Sequence, residues 1–189
     1  GVSYFCYWTP AGFNGGPFSW TTDGQQTRMY DILKNINQEI QPIGSILMKC
    51  HADGAMMTNP NGRFAMYLND GMGLSNYGPV LELSRGNDED VVAGCFRDAS
   101  TGEYKVLVTH KSPATSDKEA ATASIANMKI DTRMAITVKL HTVTLNEHNA
   151  AATTIVSEQS VINGELSLSI PDGTAVLVEF PSTANVNYN

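Results

Sequence analysis

Beyond Ser45 no stretch of the chain sustains a helical period; short strand-like runs bounded by turn residues recur instead. The clearest are Pro79 to Ser84, Val91 to Arg97, Tyr104 to His110, Ile136 to His141, Thr153 to Ser157, Glu165 to Ile170 and Ala175 to Phe180. Near the end Leu166, Leu168 and Ile170 alternate with Ser167 and Ser169, the period of a strand with one face in a core, and Val176, Val178 and Phe180 can line the same core. Asp98-Ala-Ser-Thr-Gly102 separates two runs and Pro171-Asp-Gly173 separates the last two, so both predict hairpins. So many short strands predict a mainly β fold: an antiparallel β-sandwich of Greek-key or jelly-roll type over about 46–181.

One helix precedes it. Met29, Leu33, Ile36, Ile40 and Ile43 recur every three or four residues, with Ile32 beside them, while Lys34, Asn35, Asn37, Gln38 and Gln41 fall on the other side. Asp23 or Thr27 is placed to cap its start. Pro42 and Gly44 should end or kink it, because proline removes a donor and clashes with the preceding turn. The spacing predicts an N-terminal amphipathic helix over about 25–42, packed on the sandwich by Met29, Leu33, Ile36 and Ile40. Asn59 to Gly78 reads as a long loop with a short strand near Phe64, and Ser112 to Ala121 as a polar loop.

Lys and Arg number 12 against 19 Asp and Glu, a net charge of −7 that repels phosphate backbones, so neither nucleic acid nor an anionic membrane is an expected partner. No apolar run approaches the roughly 18 residues that cross a bilayer, and no basic n-region precedes an apolar stretch at the start. The chain reads as soluble; its compartment stays open, a secreted or periplasmic one being compatible. It begins at Gly1 and not at Met, which suggests a piece of something longer. Cys6, Cys50 and Cys95 lie too far apart for a CxxC metal or redox pair and read as small buried thiols, with one disulfide as the alternative. His51, His110, His141 and His148 form no zinc-hydrolase motif, and there is no Gly-x-Ser-x-Gly elbow, Gly-x-Gly-x-x-Gly run or phosphate loop. No metal and no cofactor is expected. The eight methionines, Met56 and Met57 among them, read as core filler, and Gly71-Met-Gly73 as a flexible turn.

The first thirty residues hold eight of the fifteen aromatics. Ser3 to Thr9 is a strand-forming run stopped by Pro10, and Ala11 to Gly24 is a Gly- and Asn-rich loop anchored by Phe13, Phe18 and Trp20. Tyr4, Cys6 and Trp8 fall on one side of that strand, Phe5 and Tyr7 on the other, so both faces are apolar and the strand suits a sheet covered on both sides.

Strand, aromatic loop, helix and sandwich, in that order, resemble the end of a clan A glycoside hydrolase carrying an accessory C-terminal domain. The residues that carry the likeness are Tyr4-Phe-Cys-Tyr-Trp8, similar to a last barrel strand ending in tryptophan; the helix Tyr30-Asp-Ile-Leu-Lys34-Asn-Ile-Asn37-Gln-Glu39-Ile40; and the tail Gly164 to Phe180. The resemblance implies residues 1–45 as the close of a (β/α)8 barrel and 46–189 as the accessory sandwich. The catalytic carboxylates of this clan lie at the ends of earlier barrel strands, so the chain itself is expected to be non-catalytic, with no catalytic residue of its own and with the catalytic barrel of the same polypeptide as its partner. Trp8 then corresponds to the tryptophan that floors the sugar site.

A different reading of the same residues is a carbohydrate-binding module, in which Trp20, Phe13 and Tyr77 form a stacking platform for an oligosaccharide, with Trp8 a further candidate. A third is an assembly domain, since an orphaned apolar strand invites a homodimer. Asn146-Glu147 imitates the clan's acid/base pair but follows the helix instead of preceding the Trp8 strand, so it is read as part of a turn. Asp88-Glu89-Asp90 offers oxygen ligands without EF-hand spacing and is read as a solvated turn rather than a calcium site.

Overall fold

The computed structural model describes residues 25, 28–59, 73–110, 123–144, 153–171 and 174–181. One helix, α1 (Arg28–Leu47), leads into nine strands: β1 (Cys50–Met57), β2 (Val80–Arg85), β3 (Val91–Asp98), β4 (Tyr104–His110), β5 (Ser124–Ile130), β6 (Thr137–Thr144), β7 (Thr153–Ser160), β8 (Glu165–Ile170) and β9 (Ala175–Phe180). They build a six-stranded sheet in the order β1-β3-β4-β9-β6-β7 and a three-stranded sheet in the order β2-β5-β8. Every pairing between these strands is antiparallel.

Alternation builds the core. Val91, Ala93 and Cys95 of β3, Val106 and Val108 of β4 and Val176, Val178 and Phe180 of β9 point inward from the larger sheet. Ala126, Met128 and Ile130 of β5 and Leu166, Leu168 and Ile170 of β8 meet them from the smaller one. The two sheets therefore enclose one core, as a β-sandwich does.

The outer faces differ. On the smaller sheet Glu82, Lys129 and Glu165 sit side by side, as do Ser84, Asn127 and Ser167, so this face is polar. On the larger sheet Leu107 of β4 and Leu177 of β9 point outward, and Ile43, Ile46 and Leu47 of α1 pack on them.

Several expectations need correction. The helix does not stop at Pro42 but runs through it to Leu47. Pro42 forfeits one donor, yet Ser45 Oγ donates to its carbonyl at 2.8 Å, and the turn beyond it buries Ile43 against the sheet. Tertiary burial outweighs the local penalty. The side chains of Met29, Leu33, Ile36 and Ile40, the expected packing face, lie outside the described residues, as does Phe64.

Two strands were not foreseen. β1 carries a bulge between Ala52 and Gly54 that interrupts its alternation, and its Asp and Gly are poor strand formers. β5 uses Ser124 and Ala126 as inward residues, which hides its apolar face.

Of the two expected hairpins, Asp98 to Gly102 is one: Asp98 Oδ1 accepts from the Ser100 and Thr101 amides, and Gly102, at φ 73°, donates its amide to the Asp98 carbonyl. Pro171 to Gly173 is not. β8 and β9 belong to different sheets, so the chain passes from one sheet to the other between them, with Thr174 donating its amide and hydroxyl to the Pro171 carbonyl. Both strands still aim their apolar residues at one core, from opposite sides.

Candidate functional site

Among the described residues, a dense group of charged side chains lies on the outer face of the six-stranded sheet, beside the seat of α1. Register places Lys105 of β4, Glu179 of β9 and Lys139 of β6 in one row across three strands. Lys105 Nζ donates to Glu179 Oε2 at 2.5 Å and lies 3.6 Å from Glu103 Oε2, while Lys139 Nζ is 3.7 Å from Glu179 Oε1. His141 Nε2 bonds the same Oε1 atom. Lys105 is only 2% exposed and His141 is buried.

Burial alone would raise the Glu179 carboxyl, but its bonds to Lys105 and His141 outweigh burial and hold it below the usual carboxylate range. Burial likewise pulls the Lys105 ammonium down, and Glu179 more than reverses the effect. A carboxylate held so firmly ionised is a poor proton acceptor near neutrality. The chemistry of this group is that of an ion-pair anchor.

Cys50, at the head of β1, donates its thiol to the Ile46 carbonyl at 3.5 Å, and burial pushes the thiol above its ordinary value. Cys95 is buried in the core, where desolvation pushes it up to about 12. Both are free thiols, and neither is a thiolate near neutral pH. Cys6 lies outside the described residues.

A second group surrounds the β1 bulge. The extra residue, Asp53, accepts a 2.6 Å hydrogen bond from Tyr77 Oη. The Tyr77 ring meets Tyr104 edge to face at 5.2 Å, and the Arg97 guanidinium lies 5.3 Å from the centre of the Tyr104 ring. Gly78, at φ 51°, sits so close that a Cβ there would be 2.5 Å from Tyr104. Tyr77 is 7% exposed and belongs to the core. Its ring offers no free face, so the sugar-stacking role expected of Tyr77 does not fit where the fold puts it. Trp8, Trp20 and Phe13 lie outside the described residues, as do His148 and Asn146-Glu147.

The acidic turn is occupied by the protein itself. Glu89 Oε2 pairs with His110 Nε2 at 2.9 Å. Asp90 accepts from Thr58 Oγ1 at 2.9 Å and from Asn59 Nδ2 at 3.2 Å, and it sits 3.6 Å from Arg85. These contacts tie the β2–β3 turn to the ends of β1 and β4. His51, by contrast, is exposed on β1.

A shallow cleft of about 410 Å³ opens at the turns beyond β5 and β7, lined by Lys129, Ile130, Thr132, Asn163, Gly164 and Glu165. Polar groups line it and no aromatic ring does, so it offers hydrogen bonds but no stacking platform.

The sequence did not disclose the Glu179 group. Lys105, Lys139 and Glu179 can be placed on outward positions from alternation, but β9 reaches its place between β4 and β6 by way of the other sheet. No protein-family model, curated protein or solved structure matches the chain.

Proposed function

We propose that the chain is a non-catalytic accessory region of a carbohydrate-active enzyme, a β-sandwich that buttresses a glycoside hydrolase barrel of the same polypeptide. A soluble, secreted or periplasmic setting accompanies this reading. The observation that supports it is the seat of α1. The stretch Tyr30 to Ile40, which resembles a barrel's last helix, continues without a break into the turn whose Ile43, Ile46 and Leu47 pack on Leu107 and Leu177 of the sandwich. A helix shared in this way holds a barrel and a sandwich in fixed relation.

The ionisable groups beside that seat are engaged with one another and hold the junction. Burying apolar side chains such as Ile43 and Leu177 contributes about 1.5–3 kcal/mol each.

Calorimetry with oligosaccharides, together with turnover of aryl glycosides by the rigorously purified chain, tests this reading. The buttress predicts neither heat of binding nor turnover. Micromolar to millimolar binding that is lost in Trp20→Ala favours the carbohydrate-binding module, and turnover refutes the non-catalytic reading.

A further inference from the structure

The two sheets end in four edges, β1 and β7 in the larger and β2 and β8 in the smaller. An open strand edge is a template for further pairing, and natural sheets blunt it with bulges, charges, short strands or covering backbone. Three of the four edges here are blunted. β1 is bulged at Asp53, and Leu74 donates its amide to the Ala55 carbonyl at 2.8 Å, beside a bridge between Ala55 and Gly73. β2 is bulged between Val80 and Glu82 and carries Glu82 and Arg85. β8 has only six residues, begins at Glu165, and its Ser167 carbonyl accepts from Gln159 Nε2 at 3.4 Å.

Among the described residues β7 differs from all of them. It has eight residues in unbroken register with β6, no proline, no lysine or arginine, and Glu158 as its one charge. Ile155 is 54% exposed and Val156, on the opposite face, 52%. Met134, Ile136 and Ile162 are also exposed, and the bond from the Val161 amide to the Ile136 carbonyl brings their turns together at the end of this strand. Of the exposed large apolar side chains among the described residues, only Met48 and Leu81 lie elsewhere.

We propose that β7 is a dimerisation edge: two copies of the chain pair β7 with β7, antiparallel, about a two-fold axis through Val156, and so join their six-stranded sheets into one. An isologous contact needs a surface that complements itself, and this strand does so in that register. Val156 meets Val156, Ile155 lies opposite Ser157, and Thr154 lies opposite Glu158. The single charge thus avoids its own copy, on a chain whose net charge of −7 otherwise favours separation. Moving the axis to Ser157 sets Glu158 against Val156, and moving it to Glu158 sets two carboxylates face to face. This inference stands apart from the accessory-domain reading, because it rests on the edge and not on α1.

The test is sedimentation velocity of the full chain over a concentration series, wild type against Val156→Lys, with oxidative cross-linking of Val156→Cys and Glu158→Cys read against the parent chain. Two ammonium groups at the axis should weaken dimerisation by about 100-fold or more without changing the circular dichroism of the chain. Residues that face each other across a two-fold axis in antiparallel strands bring their Cα atoms about 4.5–5.5 Å apart, within disulfide reach. Val156→Cys should therefore yield a reducible covalent dimer above the parent background and Glu158→Cys should not, a result that stands even where Val156→Lys fails to fold. A wild-type monomer at every concentration, a dimer indifferent to Val156→Lys, or equal cross-linking through both cysteines would overturn the proposal.

Discussion

Glu179 illustrates what one residue does in this fold. It accepts from Lys105 and His141 and lies near Lys139, two ammonium groups and an imidazole gathered on one carboxylate on the sheet face that α1 covers. Its folded-state pKa is depressed, so its contribution to stability is present above the ordinary carboxylate range and is lost as pH falls through the folded value. Lys105 is raised, so its contribution is present below the ordinary ammonium range and is lost as pH rises through its own folded value. Between those limits the pair stabilises the fold. Glu179→Gln keeps the shape and takes from a buried ammonium its hydrogen-bonded carboxylate, leaving Glu103 at 3.6 Å, which should cost on the order of 3 kcal/mol near neutrality. As pH falls below the ordinary carboxylate range toward the folded value, the cost should shrink. Denaturant titrations at about pH 7 and about pH 3 check both; an equal penalty at the two values would mean that Glu179 acts through packing alone.

Among the elements, α1 shows where local signals lose to tertiary ones. The 3.6-residue period foretold a helix, and Pro42 foretold its end, because sequence alone prices the lost hydrogen bond and not the burial that follows. Ile43 is buried against Leu177, with Ile46, Leu47 and Leu107 around it, and that contact lies beyond the proline. Ile43→Asp places a charge in this seat and should destabilise the fold by several kcal/mol, on the order of the cost of burying an unpaired carboxylate. A midpoint of thermal unfolding equal to wild type would show that the seat contributes nothing.

The strands repeat the lesson. β3, β4, β8 and β9 were legible because each is a short run rich in apolar residues between turn signals, and in β8 Leu166, Leu168 and Ile170 alternate with polar residues. β1 was not, because its bulge shifts the period, and neither was β5, whose inward Ser124 and Ala126 look polar or small. Turn residues announced that the chain reverses between β8 and β9, but whether a reversal stays in one sheet or crosses to the other depends on partners distant in sequence.

At the scale of the whole molecule, the fold class was legible and the pairing was not. Short alternating strands require two apolar faces to meet, and that is enough to predict a sandwich; the order β1-β3-β4-β9-β6-β7 is fixed by which faces fit, information spread over the entire chain. Of the candidate site residues only Tyr77 falls among the described residues, and it supports the core through Asp53 and Tyr104. The ion-pair group and the place of β7 at the end of its sheet arise only when strands distant in sequence come together.

The two outer faces complete the picture: the polar face of the smaller sheet suits water, and the larger sheet carries α1 on its outer face, so any neighbour that α1 belongs to approaches from that side. The buttress reading requires the C-terminal half of α1 to unfold together with the sandwich and not before it. Native-state hydrogen exchange measures this directly. Amides of Ile46 and Leu47 should exchange with the same opening free energy as those of Leu107 and Leu177, and in Ile43→Asp both sets should fall together. Exchange of the α1 amides at the rate of an isolated helix, with β4 and β9 still fully protected, would contradict the account.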